Sequence, residues 1–112
     1  MEKVMLSSND SIEFVPVNKI IHIQGAGSYS DIYLIENKKI TVSKNLKWFE
    51  LHLPHAIFYR AHKSHLINIS FVCKLHKTNG GRICMINGAS IPLSRSKKKE
   101  FIEKIYYSGK KG

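Results

Sequence analysis

The stretch "FYRAHKSHLINIS", residues 58–70, predicts two β-strands that meet at a short basic connection. Aromatic and β-branched residues fill both of its ends, as is typical of strands. Its middle, "RAHKSH", carries basic and imidazole side chains where an ordinary surface turn would use Gly, Asn or Asp. Burying so many polar groups is costly, so we expect this connection to be a contact loop.

Strand parity divides the basic residues of this stretch into two groups. Side chains alternate between the two faces of a strand, so a core-facing Phe58 places Arg60 and His62 on the core side. We therefore predict that His62 is hydrogen-bonded and largely buried, and that Lys63 is the exposed contact residue.

The rest of the chain predicts a mostly β fold of short antiparallel strands with two helices. The turns Gly80-Gly81 and Asn87-Gly88 favour a meander of the last three strands. Gly and Asn readily adopt the positive φ that tight hairpin turns require. Asn45 predicts the N-cap of a short internal helix that Pro54 ends. Eight further segments read as strands: "KVMLSS", "IEFVPV", "IIHIQ", "SDIYLIE", "ITVSK", "FVCKLHK", "GRICMI" and "ASIPLS".

An apolar stripe at helical spacing predicts a C-terminal helix, and Ser94 or Ser96 can cap the N-terminus of this helix. Three lysines occupy its first turn, where cations oppose the helix macrodipole. A bound phosphate would resolve this conflict, because backbone N–H groups and lysines would both face it. The stripe comprises Phe101, Ile102, Ile105 and Tyr106, and the lysines are Lys97, Lys98 and Lys99.

Charge is distributed unevenly along the chain. Its 112 residues are a length that fits one domain. Residues 1–56 contain six lysines and six carboxylates, whereas residues 57–112 contain twelve Lys or Arg and two carboxylates. The whole net charge of +10 therefore lies in the second half and favours a polyanionic partner. No apolar run reaches the roughly 18 residues that span a bilayer, and no signal-peptide pattern opens the chain, which predicts a cytoplasmic protein without membrane contact.

Motifs for catalysis or metal binding are scarce. Cys73 and Cys84 lie in apolar segments and are expected to be buried thiols, with a disulfide or a metal pair as the alternatives. The histidine pairs of "HLPH" and "HKSH" lack the usual cysteine partners of a zinc site. We expect no enzyme activity, metal or cofactor, although a small His-dependent nuclease or an RNA-binding module remains the alternative.

The segments "FYRAHKSHLINISFVCKLHK" and "IPLSRSKKKEFIEKI" together resemble the LytTR DNA-binding domain of bacterial response regulators. The resemblance covers nearly the whole chain, so residues 1–112 are expected to form one such domain with a core of about 4–106. It implies an elongated fold of short antiparallel sheets. It also implies sequence-specific binding of double-stranded DNA by a transcriptional regulator of a two-component system, with loops rather than a recognition helix entering the grooves at promoter repeats.

The resemblance also implies which residues contact DNA. Lys63 and Arg95 match contact positions, and the segment 25–31 matches a third contact region that lacks a basic residue here. Arg60, His62 and Asn68 are expected to support the loop that carries Lys63. The further expected contacts are Ser28, Tyr29, Ser30, Ser64, Ser96, Lys97, Lys98 and Lys99.

Two partners besides DNA follow from the same resemblance. Binding to adjacent repeats would bring a second copy of the chain alongside the first. Family members are usually attached to an upstream receiver domain, which is absent from this sequence.

Overall fold

The computed structural model describes residues 2–77 and 80–109, and this part of the chain forms ten β-strands and two α-helices. Every predicted strand and both predicted helices are present. Three short 3-10 turns lie at residues 17–19, 69–71 and 95–97. The elements are β1 (Lys3–Ser7), β2 (Ile12–Pro16), β3 (Ile20–Ala26), β4 (Tyr29–Leu34), β5 (Lys38–Val42), α1 (Leu46–His52), β6 (Phe58–His62), β7 (His65–Asn68), β8 (Val72–His76), β9 (Arg82–Met85), β10 (Ser90–Pro92) and α2 (Lys98–Gly109).

The strands form three antiparallel sheets, which agrees with the predicted arrangement of short antiparallel strands. A central sheet has the order β5-β4-β3-β7-β6, while β1 and β2 form a separate two-stranded ribbon. The third sheet has the order β10-β9-β8, which confirms the predicted meander. The molecule is elongated, with principal extents of 42 × 31 × 25 Å.

Two hydrophobic clusters cover the two faces of the central sheet. The first packs the sheet against the β1–β2 ribbon and α1, with Phe49 and Ile23 fully buried. The second packs the opposite face against the three-stranded sheet and α2, with Ile83 and Phe101 at its centre. The sheet is therefore the middle layer of the fold, and both faces of β6 and β7 are fixed by packing.

Helix α1 begins as predicted from the sequence. The side-chain oxygen of Asn45 accepts a hydrogen bond from the backbone N–H of Trp48 at 3.0 Å, which caps the first turn. The helix ends at His52, two residues before Pro54.

Helix α2 departs from the prediction in two respects. It begins at Lys98, so Lys97 ends the preceding 3-10 turn, and the Ser94 side chain makes no capping hydrogen bond there. Its apolar stripe is also narrower than predicted, because only the Phe101 side chain is fully buried. Ile102 and Tyr106 are 44% and 60% exposed.

The expectation of two buried thiols is wrong. Cys73 is exposed and Cys84 is half-buried, and both are free. The register between β8 and β9 shifts between Val72 and Lys74, and β8 is an edge strand of its sheet, so the Cys73 side chain is not enclosed.

Candidate nucleic-acid interface

Lys63 and Ser64 alone connect β6 to β7, and the side chain of Arg60 holds the backbone of this connection by hydrogen bonds. Arg60 donates from Nε to the carbonyl oxygen of His62 at 3.0 Å and from Nη2 to that of Lys63 at 2.6 Å. Its third nitrogen, Nη1, pairs with Glu50 of α1 at 2.6 Å. The guanidinium thus orders the loop backbone while the Lys63 side chain remains exposed.

The side chain of His62 closes the same turn. Its Nδ1 accepts a hydrogen bond from the backbone N–H of Ser64 at 3.2 Å. Both Arg60 and His62 are half-buried, which is less than the burial predicted for His62.

Asn68 does not support this loop, which corrects the prediction made for it. The residue lies at the far end of β7, where its amide donates to the Ile20 carbonyl at 2.9 Å and its oxygen accepts from Ser70 N–H at 2.9 Å. Asn68 therefore joins β7 to β3 and shapes the turn that follows β7. The presence of an asparagine at this position is explained by its hydrogen bonds within the fold, without a contact to a ligand.

The third expected contact region is a tight hairpin rather than a loop. Strands β3 and β4 are paired as far as Ala26 and Tyr29, so only Gly27 and Ser28 lie between them. Gly27 has φ +64°, a left-handed conformation that glycine adopts without strain. Ser28 is exposed and Tyr29 is 54% exposed, so both side chains are accessible to a ligand.

Ser30 is buried, which corrects its expected role as a contact residue. Its side chain is 1% exposed because it lies on the same face of β4 as Ile32 and Leu34. The hydroxyl donates to the carbonyl oxygen of Lys44 at 2.7 Å. This bond places Lys44, a basic residue outside the predicted contacts, next to the hairpin.

Arg95 lies beside the Lys63 loop because its segment is bonded to β6. The backbone N–H of Ser94 donates to the Ala61 carbonyl at 3.2 Å, and that of Leu93 donates to the Gly81 carbonyl at 3.3 Å. Arg95 and Ser96 follow directly, and both are exposed. On the other side of the loop, the N–H of Gly25 donates to the Ser64 carbonyl at 2.9 Å. The β3–β4 hairpin, the Lys63 loop (residues 63–64) and the 3-10 turn of residues 95–97 (the Arg95 turn) thus lie side by side.

The three lysines near α2 have different environments. Lys98 and Lys99 line a shallow surface depression together with Arg95. Lys97 is half-buried and directs its amine inward, where Nζ donates to the Arg60 carbonyl at 2.7 Å. The structure therefore places Arg95, Lys98 and Lys99 on one surface and Lys97 behind it.

One buried histidine, His22, was missed from the sequence, and it lies near the half-buried His65 of the basic stretch. His22 is 3% exposed, stacks on Tyr33 with ring centroids 4.5 Å apart, and has Nε2 3.3 Å from Asn87 Nδ2. Burial lowers the pKa of His22 to about 4, with a smaller effect from His65. Burial, and then the charges of His62 and Arg82, also lower the pKa of His65. Both rings are uncharged at neutral pH, so they add no positive charge to this surface. The position of His22 within the apolar run "IIHIQ" is the signal that could have revealed it.

Neither a metal centre nor a membrane segment appears in the described residues. Across 2–77 and 80–109, no three His, Cys, Asp or Glu side chains are grouped as metal ligands. Over the same residues, neither helix has the length and apolar character needed to cross a bilayer.

Comparison with known proteins identifies the family. A model of the LytTr DNA-binding domain matches residues 10–106. A solved LytTr DNA-binding domain from Bacillus cereus has the same fold, with a TM-score of 0.79 at 23% identity over 94% of this chain and 97% of that one. No curated protein matches the chain in sequence. Because the family model covers most of the described fold, including the loop, the hairpin and the Arg95 turn, the chain belongs to the LytTR DNA-binding domain family.

Proposed function

We propose that the chain binds double-stranded DNA sequence-specifically as the DNA-binding part of a bacterial transcriptional regulator. The observation that carries the proposal is the row formed by the β3–β4 hairpin, the Lys63 loop and the Arg95 turn. Two backbone hydrogen bonds, from Gly25 to Ser64 and from Ser94 to Ala61, hold these three segments side by side. A row of short exposed segments on a rigid sheet can enter successive parts of a groove.

Lys63 and Arg95 are the residues proposed to read bases. Both side chains are exposed at the ends of segments whose backbone is fixed, and no carboxylate is paired with either of them among the described residues. Arginine can donate two parallel hydrogen bonds to a guanine edge, and lysine can donate to the same acceptors. Direct readout requires this combination of a free donor and an ordered backbone.

A second set of residues is proposed to contact the phosphate backbone. These contacts set the position and orientation of the protein on the duplex without carrying sequence information. They would come from exposed or half-buried hydroxyl and ammonium groups that flank the two reading side chains. The set comprises Ser28, Tyr29, Ser64, Ser96, Lys98 and Lys99.

The target and the assembly belong to the same proposal. We propose that the protein recognises repeated sites in promoters and that two copies bind adjacent repeats. The Bacillus cereus domain comes from a protein described as a response regulator. By analogy, an upstream receiver domain would control this domain.

The test is selection from a library of randomised 30-base-pair duplexes, followed by fluorescence anisotropy titrations with the selected duplex. We expect the selected duplex to bind about 10³-fold or more tightly than a shuffled duplex of the same composition, as is typical of specific DNA binding. Single-stranded DNA and RNA of the same sequence serve as competitors. Equal affinity for selected and shuffled duplexes would contradict sequence-specific binding.

The same titration tests the alternative of a nuclease or an RNA-binding module. His62 and His65 have ring centroids 5.6 Å apart, but Nδ1 of His62 accepts the Ser64 N–H and Nδ1 of His65 is buried. General acid–base catalysis requires ring nitrogens that reach the substrate. One nitrogen of each ring is thus engaged or enclosed. We propose that the DNA remains uncleaved, whereas cleavage, or preference for RNA or for single strands, would favour the alternative.

A further inference from the structure

We infer that Lys97 is a positioning residue that fixes the Arg95 turn against the Lys63 loop, and that it is not a phosphate contact. This inference rests on the proposed DNA-binding function. It changes the role that the lysine run suggests, since three consecutive lysines would all be expected to face the DNA.

The side-chain amine of Lys97 points toward β6 and away from the surface formed by Arg95, Lys98 and Lys99. Its Nζ donates to the carbonyl oxygen of Arg60 at 2.7 Å and lies 5.7 Å from the centroid of the Tyr59 ring. An ammonium group in this position exchanges water for a carbonyl dipole and an aromatic face. Release of Nζ toward a phosphate would break both interactions and leave the Arg60 carbonyl without this donor.

The carbonyl that Lys97 contacts belongs to the residue that orders the Lys63 loop. The backbone of Arg60 accepts from Lys97, while its guanidinium donates to the Lys63 carbonyl at 2.6 Å. One residue thus connects the two side chains that are proposed to read bases, with Lys97 on one side and the loop on the other. The connection to Arg95 is direct, because Lys97 and Arg95 share one 3-10 turn.

Two further hydrogen bonds tie the same segment to β6. The hydroxyl of Tyr59 donates to Glu100 Oε1 at 2.6 Å, and the Ser94 N–H donates to the Ala61 carbonyl. Burial and the neighbouring carboxylate both raise the pKa of Tyr59, so its hydroxyl remains a donor. Three consecutive residues of β6 therefore hold the segment 94–100, and Lys97 supplies the middle contact.

Lys98 and Lys99 provide matched controls in the same run. Neither side chain has a hydrogen-bond or ion-pair partner among the described residues, and both line the depression beside Arg95. Lys98 is also half-buried, as Lys97 is, so the two differ in the direction of the amine rather than in overall exposure. Methionine keeps most of the lysine chain length while removing the charge and the donor.

The first experiment measures amide hydrogen exchange by NMR in the free protein. In Lys97→Met we expect about tenfold faster exchange at the backbone N–H of Ser94, because one charge-assisted hydrogen bond that restrains the segment is lost. Lys98→Met should leave that rate unchanged. Unchanged exchange in Lys97→Met would overturn the inference whether or not the protein binds DNA.

The second experiment measures DNA affinity as a function of salt with the selected and shuffled duplexes. A lost phosphate contact reduces the slope of log K against log salt by about one and weakens both duplexes equally, which is expected for Lys98→Met. Lys97→Met should keep the wild-type slope while the ratio of affinities for the two duplexes falls by about tenfold. A slope reduced by about one in Lys97→Met would overturn the inference.

Tyr59→Phe is the second variant in case Lys97→Met does not fold. It removes the hydrogen bond to Glu100 and leaves every lysine in place. The inference predicts faster exchange at Ser94 and weaker discrimination with an unchanged salt slope, and an unchanged exchange rate would count against it. Failure of the wild-type protein to distinguish the two duplexes would instead contradict the proposed function, because the exchange measurement does not involve DNA.

Discussion

The guanidinium of Arg60 lies 2.6 Å from the carbonyl oxygen of Lys63 and 2.6 Å from a carboxylate oxygen of Glu50. The first contact orders the loop, and the second fixes the guanidinium to α1. Arg60 is 22% exposed, so its desolvation is partly offset by three hydrogen bonds. Because Arg60 contacts His62 and Lys63 through their carbonyl oxygens, these two hydrogen bonds do not require a lysine side chain at position 63.

Arg60→Met should destabilise the fold without removing a DNA-contacting group. We expect the free energy of unfolding to fall by about 1–3 kcal/mol, because three hydrogen bonds are lost and Glu50 loses its partner. Urea denaturation measures this change, and Lys63→Met is the control, with an expected effect within about 0.5 kcal/mol for an exposed side chain. Equal stability of the two variants would show that Arg60 does not support the loop.

Arg95→Ala tests direct readout. If Arg95 donates to a base edge, its removal should cost about 1–3 kcal/mol on the selected duplex and much less on a shuffled duplex. Anisotropy titrations at one salt concentration measure both values, and Ser96→Ala is a neighbouring control that leaves the guanidinium in place. Equal losses on the two duplexes would assign Arg95 to the phosphate backbone.

Most of the fold could be predicted from local patterns, because strand alternation, the Asn45 cap and the glycine turns act over a few residues. The exceptions arise where pairing decides the outcome. Alternation in β4 already places Ser30 with Ile32 on the core face, but this follows only when the hairpin is known to be tight. A register shift between Ile20 and His22 likewise decides the faces of β3, and sequence periodicity does not reveal it.

The candidate site was predicted in part for a related reason. An exposed basic residue such as Arg95 can be predicted from the sequence, because it lies in a stretch with the composition of a turn. The direction in which the Lys97 amine points depends on a carbonyl in β6, 37 residues earlier in the chain. Such long-range contacts distinguish Lys97 from Lys98 although the two are adjacent and chemically identical.

The burial of His22 predicts a loss of stability in weak acid. Its pKa is about 4 in the folded protein, below the 6.5 of an ordinary histidine, so the unfolded state binds the proton more tightly. This contribution to stability is fully present above pH 6.5 and is lost as the pH falls from 6.5 to about 4. The shift corresponds to about 3 kcal/mol for His22, and the lowered pKa of His65 acts in the same direction.

Urea denaturation between pH 4 and pH 7 measures this dependence. His22→Phe keeps a stacking partner for Tyr33 and cannot be protonated, so its stability should fall less over the same interval than that of the wild-type protein. The difference between the two curves isolates His22 from the carboxylates that titrate in this range. Parallel curves would show that His22 is not held in its neutral form by the fold.

Ser30→Ala separates structural from contact roles in the third segment. The buried hydroxyl donates to the Lys44 carbonyl at 2.7 Å, so its removal should lower the free energy of unfolding by about 1 kcal/mol. The salt slope of DNA binding should remain that of the wild-type protein, because a side chain that is 1% exposed does not reach a phosphate. Lys44→Met is the complementary variant: the Lys44 carbonyl still accepts the serine hydroxyl, while the ammonium is removed together with its contact to the Trp48 ring, 5.2 Å from the ring centroid. A wild-type slope in Ser30→Ala together with a slope reduced by about one in Lys44→Met would show that Lys44 supplies the positive charge that the hairpin itself lacks.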